Sequence, residues 1–249
     1  MRLNLFLARA AGGSRREADG WIRDGRVAID GTPPRGFGHP IDPERHRVTL
    51  DGRPVRLPVA PRWLAYHKPP GVLVSRRPQG GNPTIYDLLG HRAAGLHPVG
   101  RLDLDSEGLL LLTDDGTLSE ALLHPRSALR RQYRVWVTPA PDAARIRILR
   151  HGAVVEGEEV VPDRVVVEET ERGQGILQID LREGKKREIR VLAKKAGLDV
   201  RRLQRVAFGP VALGALRRGL LRRLEPAEIA ALRRDAIPRG GRLSPRRPR

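Results

Sequence analysis

The chain of 249 residues contains no cysteine, and this absence narrows its chemistry. Disulfide bonds, cysteine-ligated zinc and a thiol nucleophile are all excluded. No run of about eighteen apolar residues occurs, so no transmembrane helix is predicted. The first residues, 1–4, begin a helical pattern and lack the apolar core of a signal peptide. Together these absences favour a cytoplasmic protein.

Several signatures of cofactor-dependent and hydrolytic enzymes are also missing. The seven histidines show neither H-x-x-x-H nor H-E-x-x-H spacing, so no metal site is predicted. There is no Walker P-loop and no G-x-G-x-x-G after a strand, so no nucleotide cofactor is expected. A Ser-His-Asp triad stays possible, although the G-x-S-x-G elbow is absent. Carboxylate chemistry remains as the best-supported kind of catalysis.

The positive charge of the chain is concentrated in one segment. The formal net charge is +18, from 47 basic and 29 acidic residues. Residues 182–223 carry 14 basic and 3 acidic residues, whereas residues 61–181 are close to neutral. An arginine-rich genome would raise the charge everywhere, so this concentration indicates a binding surface for a polyanion.

The first sixty residues predict a compact module of two helices and short strands. Apolar side chains recur at helical spacing at Leu3, Phe6, Leu7 and Ala10. Ser14 and Glu17 stand at the positions of a capping box, which begins the second helix. Turns at residues 30–31 and 51–52 predict a short hairpin.

This module resembles the S4-like RNA-binding domain that is shared with a small-subunit ribosomal protein. The resemblance rests on residues 14–19, 25–27 and 30–31. In that family the arginine-bearing helix pair contacts the RNA backbone. It therefore implies RNA-binding roles for four residues of this pair: Arg15, Arg16, Arg23 and Arg26. A solvated basic helix face is the alternative interpretation.

The predicted fold class is α+β, because strands outnumber helices and rarely alternate with them. We expect a small S4-like domain over residues 1–57 and a linker over 58–62. A catalytic domain with a mixed, largely antiparallel sheet flanked by helices is expected over 63–237. Residues 238–249 hold five arginines, three prolines and no acid, which predicts a disordered, phosphate-seeking tail.

The stretch 100–108 places acidic side chains in a short polar loop bounded by glycines. Four leucines, 109–112, follow the loop and predict a buried strand. Such a strand would hold the end of the loop in a rigid element. An aspartate can attack a sugar or base carbon and form a covalent intermediate. Spacing alone does not choose between Asp103 and Asp105. A neighbouring arginine is expected to hold the ionised carboxylate, either Arg101 or Arg190.

The loop, with Ser106, Gly108 and residues 109–113, is similar to the active-site motif of RNA pseudouridine synthases. Residues 66–71 resemble the preceding strand of that family, and residues 183–190 resemble its closing motif. Residues 203–205, with Gly209 after them, match the next segment. The resemblance covers about residues 1–235. With the N-terminal module it points to the ribosomal small-subunit type subfamily, whose members modify ribosomal RNA.

The resemblance implies three catalytic roles. Asp103 is expected to be the nucleophile, and Tyr133 to pack on the target base and assist proton removal. Arg190 is expected to pair with Asp103. Ser106 replaces the commoner threonine, and Arg131-Gln132 before Tyr133 also departs from the usual pattern. The implied reaction isomerises uridine to pseudouridine without a cofactor or metal.

Ribosomal RNA is the expected partner, and large-subunit 23S rRNA is the preferred target. A 16S rRNA synthase and a non-catalytic ribosome-assembly factor are the alternatives. No membrane association is expected, and the chain is expected to be a monomer. Further RNA contacts are predicted at the basic residues of the motif and of segment 182–223, namely Arg101, Lys185, Lys186, Arg187, Arg201, Arg202 and Arg205.

Overall fold

A computed structural model describes residues 1–57, 60–127, 129–171 and 173–236. It contains two compact units. Of the described residues, the first unit contains those in 1–62, 89–97 and 112–115, and the second contains those in 63–88, 98–111 and 116–236. The predicted basic tail, 238–249, and two residues of the predicted linker lie outside the described residues. The domain boundaries proposed from the sequence stay predictions.

The first unit packs two helices against a small antiparallel sheet. Its elements are α1 (Leu3–Ala11), α2 (Arg15–Arg23), β1 (Val27–Ile29), β2 (Val48–Leu50) and β3 (Arg53–Pro54). The capping box is confirmed, since the Ser14 hydroxyl accepts the Glu17 N–H and the Glu17 carboxylate accepts the Ser14 N–H. Leu3, Phe6 and Leu7 lie in the apolar core, as the helical spacing predicted.

The remaining elements follow in chain order. The strands are β4 (Trp63–Lys68), β5 (His97–Pro98), β6 (Glu107–Thr113), β7 (Arg131–Thr138), β8 (Ala153–Val155), β9 (Glu158–Val160), β10 (Arg164–Glu171), β11 (Gln174–Leu181), β12 (Asp199–Phe208), β13 (Val211–Ala212) and β14 (Leu221–Arg223). The helices are α3 (Ile85–Leu89), α4 (Gly116–Leu123), α5 (Ala143–His151), α6 (Glu188–Lys195) and α7 (Pro226–Ala236). Short 3₁₀ turns span Gly90–Ala93 and Pro125–Ser127.

One large sheet has the strand order β10-β11-β7-β12-β6-β4-β14, with β13 on β12 and β5 on β6. Its pairs β10–β11, β11–β7, β7–β12 and β4–β14 are antiparallel, whereas β12 and β6 run parallel. The predicted α+β class with a mixed, largely antiparallel sheet is therefore confirmed. Strands β8 and β9 form a separate hairpin.

Strands β6 and β7 have different burial patterns, and the sequence predicted the buried leucines of β6. The four leucines of β6 are all buried, so both faces of this strand are covered. Along β7 burial alternates, with Tyr133 and Val135 on the buried face and Arg134 and Trp136 on the other. The alternation fixes the side of the sheet on which the Tyr133 ring lies.

Gly108 allows the parallel strands β6 and β12 to approach where the polar loop ends. It pairs with Arg205 and has a φ angle of 107°. A β-carbon at Gly108 would lie 2.3 Å from the carbonyl oxygen of Arg205 and 2.6 Å from its nitrogen. Because both contacts are with backbone, a rotamer change cannot relieve them. The glycine thus sets how close Arg205 lies to the loop.

We predict that Gly108→Ala lowers the free energy of unfolding by at least about 3 kcal/mol, since strain and backbone overlap add. Gly157→Ala is the matched control. Gly157 also has a positive φ, 84°, but nothing lies within 4 Å of its added β-carbon. The control is expected to cost about 1 kcal/mol. Equal losses in urea denaturation of the two variants would contradict the role given to the strand contact.

Candidate active site

A cleft of about 200 Å³ opens in the second unit against strands β7 and β12. Its walls come from the loop 100–106, from those two strands and from residues 184–189, which lead into α6. Asp103 and Tyr133 both line the cleft, so the fold brings together two side chains that the sequence predicted as catalytic. Arg190 stands outside the lining, in the first turn of α6.

A buried ammonium group holds the loop from the side of β4. Lys68 ends β4 and is fully buried. Its Nζ donates hydrogen bonds to the carbonyl oxygens of Ser106 at 2.7 Å, Pro69 at 2.9 Å and Leu104 at 3.4 Å. Burial lowers the pKa of Lys68 to about 8, while the loop carboxylates oppose that shift. The loop backbone is thus bound to a rigid strand through its own carbonyl groups.

Arg205 holds the same loop from β12. Its guanidinium is buried and donates from Nε to the Leu109 carbonyl at 2.8 Å and from Nη1 to the Arg101 carbonyl at 3.4 Å. The Gly71 N–H adds a bond of 2.7 Å to the Leu104 carbonyl. The loop that carries Asp103 is therefore anchored along its length before any substrate enters.

The two aspartates of the loop have different surroundings. Asp103 lines the cleft, and no hydrogen bond or ion pair of its carboxylate is found among residues 1–57, 60–127, 129–171 and 173–236. Asp105 is not part of the lining, and its Oδ2 lies 2.9 Å from Arg190 and 3.5 Å from Arg187. The geometry separates two carboxylates that sequence spacing could not.

The predicted pairing of Arg190 with Asp103 is corrected by these contacts. Arg190 pairs with Asp105, and its Nη1 donates to the Val200 carbonyl at 3.2 Å. Both acids belong to one short loop, but their side chains leave the turn in different directions. The arginine therefore reaches the second acid and leaves Asp103 open to the cleft.

Tyr133 forms one wall of the cleft from the buried face of β7. Burial raises the pKa of its phenol, whereas the nearby positive charge of Arg205 opposes the shift. The ring is nearly covered, with 6% of its surface exposed. The arrangement fixes both the plane of the ring and the position of its oxygen.

Glu188 is a cleft residue that the sequence reasoning did not single out. It begins α6, is buried, and accepts a hydrogen bond from the Lys185 N–H at 3.0 Å. Burial raises the pKa of its carboxyl to about 7, with the Lys185 N–H and the Arg131 cation opposing. Arg187 is the N-cap of α6, so the bond between Glu188 and the Lys185 N–H is not part of a capping box, and no sequence pattern singled it out.

Lys68 and Arg131 were also missed. Arg131 lines the cleft and donates to the carbonyls of Leu129 and Arg182. Its guanidinium stands 5.3 Å from the centre of the Phe208 ring. Neither role follows a sequence period, because both depend on carbonyl groups that the fold brings near.

The predicted RNA contacts near the cleft fall into two groups. Five of them line it: Arg101, Lys185, Lys186, Arg187 and Arg205. Lys185 is also paired with Glu158 at 2.6 Å, and Arg201 is exposed on β12. RNA contacts stay predictions for Arg101, Lys185, Lys186, Arg187 and Arg201.

Arg202 and Arg205 form the second group of predicted RNA contacts. Arg202 lies next to Leu203 on β12, so its side chain is on the face opposite the cleft-lining Leu203. It forms an ion pair with the buried Glu107 at 2.5 Å, and its guanidinium lies 4.2 Å from the centre of the Trp136 ring. Arg205 is buried under the loop that it holds. Both cations are engaged within the fold, so the structure favours structural roles over the predicted phosphate contacts.

In the first unit the predicted arginines lie on and just after α2. Arg15, Arg16 and Arg23 are exposed, and Arg23 stands 5.6 Å from the ring of Phe37. Arg26 makes two hydrogen bonds to Asp51, so part of its charge is compensated. RNA binding by these residues stays a prediction.

Comparison with known proteins gives matches across nearly the whole chain. The family described as RNA pseudouridylate synthase matches residues 62–195, and the S4 domain family matches residues 1–33. An uncharacterised RNA pseudouridine synthase of Aquifex aeolicus is 36% identical over 233 residues, which cover 93% of each chain. The chain belongs to the RNA pseudouridine synthase family.

Two further relatives of this pseudouridine synthase extend the comparison. The ribosomal large subunit pseudouridine synthase B of Escherichia coli O6:H1 is 37% identical over 242 residues, which cover 93% of this chain and 82% of that protein. A crystal structure of a pseudouridylate synthase aligns with a TM-score of 0.62 at 27% identity, covering 93% of this chain and 99% of that one. The family and the N-terminal S4 domain expected from the sequence are confirmed.

The described part of this pseudouridine synthase contains no helix long and apolar enough to cross a membrane. Across the same residues, no three histidine, aspartate or glutamate side chains gather in a way that could hold a metal ion. The cleft is lined by the carboxyl groups of Asp103 and Glu188, by Tyr133, and by cations, of which Arg131 and Arg205 donate to backbone carbonyls.

We predict that Glu188 makes the stability of the fold decrease with rising pH. The unfolded carboxyl loses its proton near 4.5 and the folded one near 7. The stabilisation that the protonated Glu188 gives the fold is therefore fully present below pH 4.5 and is lost as the pH rises through 7. Glu188→Gln should remove this dependence, which amounts to at most about 3 kcal/mol.

Urea denaturation of the wild type and of Glu188→Gln at several pH values measures the difference directly. The glutamine oxygen can still accept the Lys185 N–H, so this hydrogen bond is preserved in the variant. Parallel pH profiles for the two proteins would show that Glu188 titrates normally in the fold.

Proposed function

We propose that this chain isomerises uridine to pseudouridine in ribosomal RNA, that 23S rRNA is its substrate, and that Asp103 is the nucleophile. Family membership supports the reaction. The substrate is supported by relatives in Escherichia coli O6:H1 and Pseudomonas aeruginosa, both named ribosomal large subunit pseudouridine synthase B and 36–37% identical to this chain. The S4 domain supports an RNA partner.

The open carboxylate of Asp103 is the observation that carries the catalytic assignment. An anion in a cleft that receives RNA repels phosphate, so a purely RNA-binding protein has no use for it. The loop that presents Asp103 is anchored by Lys68 and Arg205. A carboxylate without a competing partner on a fixed backbone is preorganised to attack.

In the proposed reaction the N-glycosidic bond between N1 of the uracil and the ribose breaks with the help of the Asp103 carboxylate. The freed base turns and rejoins the ribose through carbon 5. The proton of carbon 5 is then lost, and N1 gains one. Tyr133, which lines the cleft with Asp103, is proposed to pack on the base and to assist the removal of that proton.

The target uridine must leave its stack before it enters the cleft. Extruding a nucleotide costs roughly a few kcal/mol. Contacts of the RNA backbone with Arg101 and Lys186 at the cleft and with Arg201 on β12 are proposed to offset this cost. All three side chains are exposed.

We predict that Asp103→Asn abolishes tritium release from rRNA labelled at carbon 5 of uridine. RNA affinity should stay within a few-fold of the wild type, because the change removes a negative charge and no phosphate contact. Asp163→Asn serves as the matched control, since its carboxylate pairs with Arg182 in the same unit. Full activity of the Asp103 variant would remove it as the nucleophile.

Mapping pseudouridines in rRNA from cells with and without the gene identifies the substrate. Loss of one site in 23S rRNA is expected. Loss of a site in 16S rRNA would support the alternative target. An unchanged map, together with an inactive purified protein, would support a non-catalytic role in ribosome assembly.

We predict that the double variant Arg15→Gln/Arg16→Gln weakens RNA binding and flattens its salt dependence. Each lost phosphate contact lowers the slope of log Kobs against log salt by about 0.7 to 0.9. Arg145→Gln is the control, because Arg145 is ion-paired with Asp142. Filter binding at four salt concentrations measures the slopes, and an unchanged slope in the double variant would argue against an RNA role for α2.

A cytoplasmic location, a monomeric state and a reaction without a cofactor also belong to the proposal. They rest on the composition of the chain and on its family. Size-exclusion chromatography with light scattering tests the monomer directly.

A further inference from the structure

Asp105 joins two sides of the cleft through a pair of arginines. Its Oδ2 lies 2.9 Å from Nη2 of Arg190 and 3.5 Å from Nη2 of Arg187. Arg187 is the N-cap of α6, and Arg190 lies in its first turn. Because Arg190 also donates to the Val200 carbonyl, the carboxylate connects the loop to α6 and, through Arg190, to β12.

This contact differs from an ordinary surface ion pair. The side chain of Arg190 is only 16% exposed, those of Asp105 and Arg187 are 45% and 49% exposed, and one carboxylate oxygen lies within 3.5 Å of both guanidinium groups. Isolated exposed pairs contribute little, whereas partly buried, charge-assisted contacts are stronger and better defined in geometry. Arg187 also adopts φ 55°, a strained region for a residue other than glycine. A fixed anion opposite its side chain helps to hold that conformation.

Asp105 lies inside the turn that carries Asp103. The Ser106 N–H donates to the Asp103 carbonyl at 3.1 Å, which closes the turn around Leu104 and Asp105. Lys68 holds the carbonyls of Leu104 and Ser106, the residues on either side of Asp105. The turn is thus held by β4 on one side and by the α6 arginines on the other.

We propose that Asp105 is a positioning residue for the reaction. Its carboxylate holds Arg187 and Arg190 against the turn and thereby keeps the Asp103 carboxylate aimed into the cleft. The same contact compensates two cations beside an RNA-binding surface. This role rests on the proposed function, because it presupposes that Asp103 is the nucleophile.

The positioning role predicts that Asp105→Asn lowers kcat without weakening RNA binding. Loosening the turn should lower kcat by about ten- to a hundredfold, as small misplacements of a reacting group do. The two released guanidinium groups become available to phosphates. RNA affinity should therefore be unchanged or higher, with a steeper dependence on salt.

The test uses the full-length protein and in vitro transcribed 23S rRNA tritiated at carbon 5 of uridine. We would measure kcat and KM by tritium release, and Kd by filter binding at four salt concentrations. Asp105→Glu keeps the charge and should recover part of kcat. Asp163→Asn is the control, because it makes the same substitution at an ion pair of similar length, 2.7 Å, and should behave as the wild type.

Three outcomes would overturn the positioning role. One is a normal kcat in Asp105→Asn. Another is a parallel loss of kcat, RNA affinity and melting temperature in both the Asn and Glu variants, which would indicate a purely structural contact. The third is an active Asp103→Asn beside an inactive Asp105→Asn, which would make Asp105 the nucleophile.

The wild type and Asp103→Asn distinguish this role from the proposed function itself. An active wild type with an inactive Asp103→Asn supports the function whatever Asp105→Asn does. A wild type that releases no tritium from 23S rRNA contradicts the proposed substrate, and the role built on it falls as well.

Discussion

A buried cation that binds backbone carbonyls is the interaction on which the candidate site depends. The loop between β5 and β6 turns its carbonyl groups inward, where unpaired oxygens would be costly. Lys68 satisfies those of Leu104 and Ser106, and Arg205 satisfies those of Arg101 and Leu109. The loop backbone is therefore anchored through its carbonyl groups, and the Asp105 carboxylate adds a contact with the arginines at the start of α6.

Three acids in five consecutive residues are consequently free to take different roles. Glu107 begins β6 and neutralises Arg202 and Arg218. Asp105 forms ion pairs with Arg187 and Arg190 at the start of α6. Asp103 lines the cleft and has no ion pair among the described residues. Because each acid has its own surroundings, one carboxylate stays without an ion pair, as the proposed role of nucleophile requires.

The positive charge of segment 182–223 is only partly available to RNA. Arg190, Arg202 and Arg205 are engaged with acids or carbonyls of the fold. Lys186 and Arg201 remain exposed. The arginines and lysines of this segment therefore serve in two ways. Some bind acids and carbonyl groups around the cleft, and others remain exposed, where their charge attracts phosphate. Total charge predicted the class of partner but not which side chains face it.

The sequence alone determined the family, the order of its motifs, the Ser14 capping box and the buried strand of leucines 109–112. These features are local, because helical and strand periods assign faces within a few residues. Only the tertiary structure decided that Arg190 meets Asp105, that Lys68 lies under the loop and that Glu188 is buried. Such contacts join residues far apart in the chain. They depend on strand order and on the direction in which each side chain leaves its turn, and no sequence period encodes either.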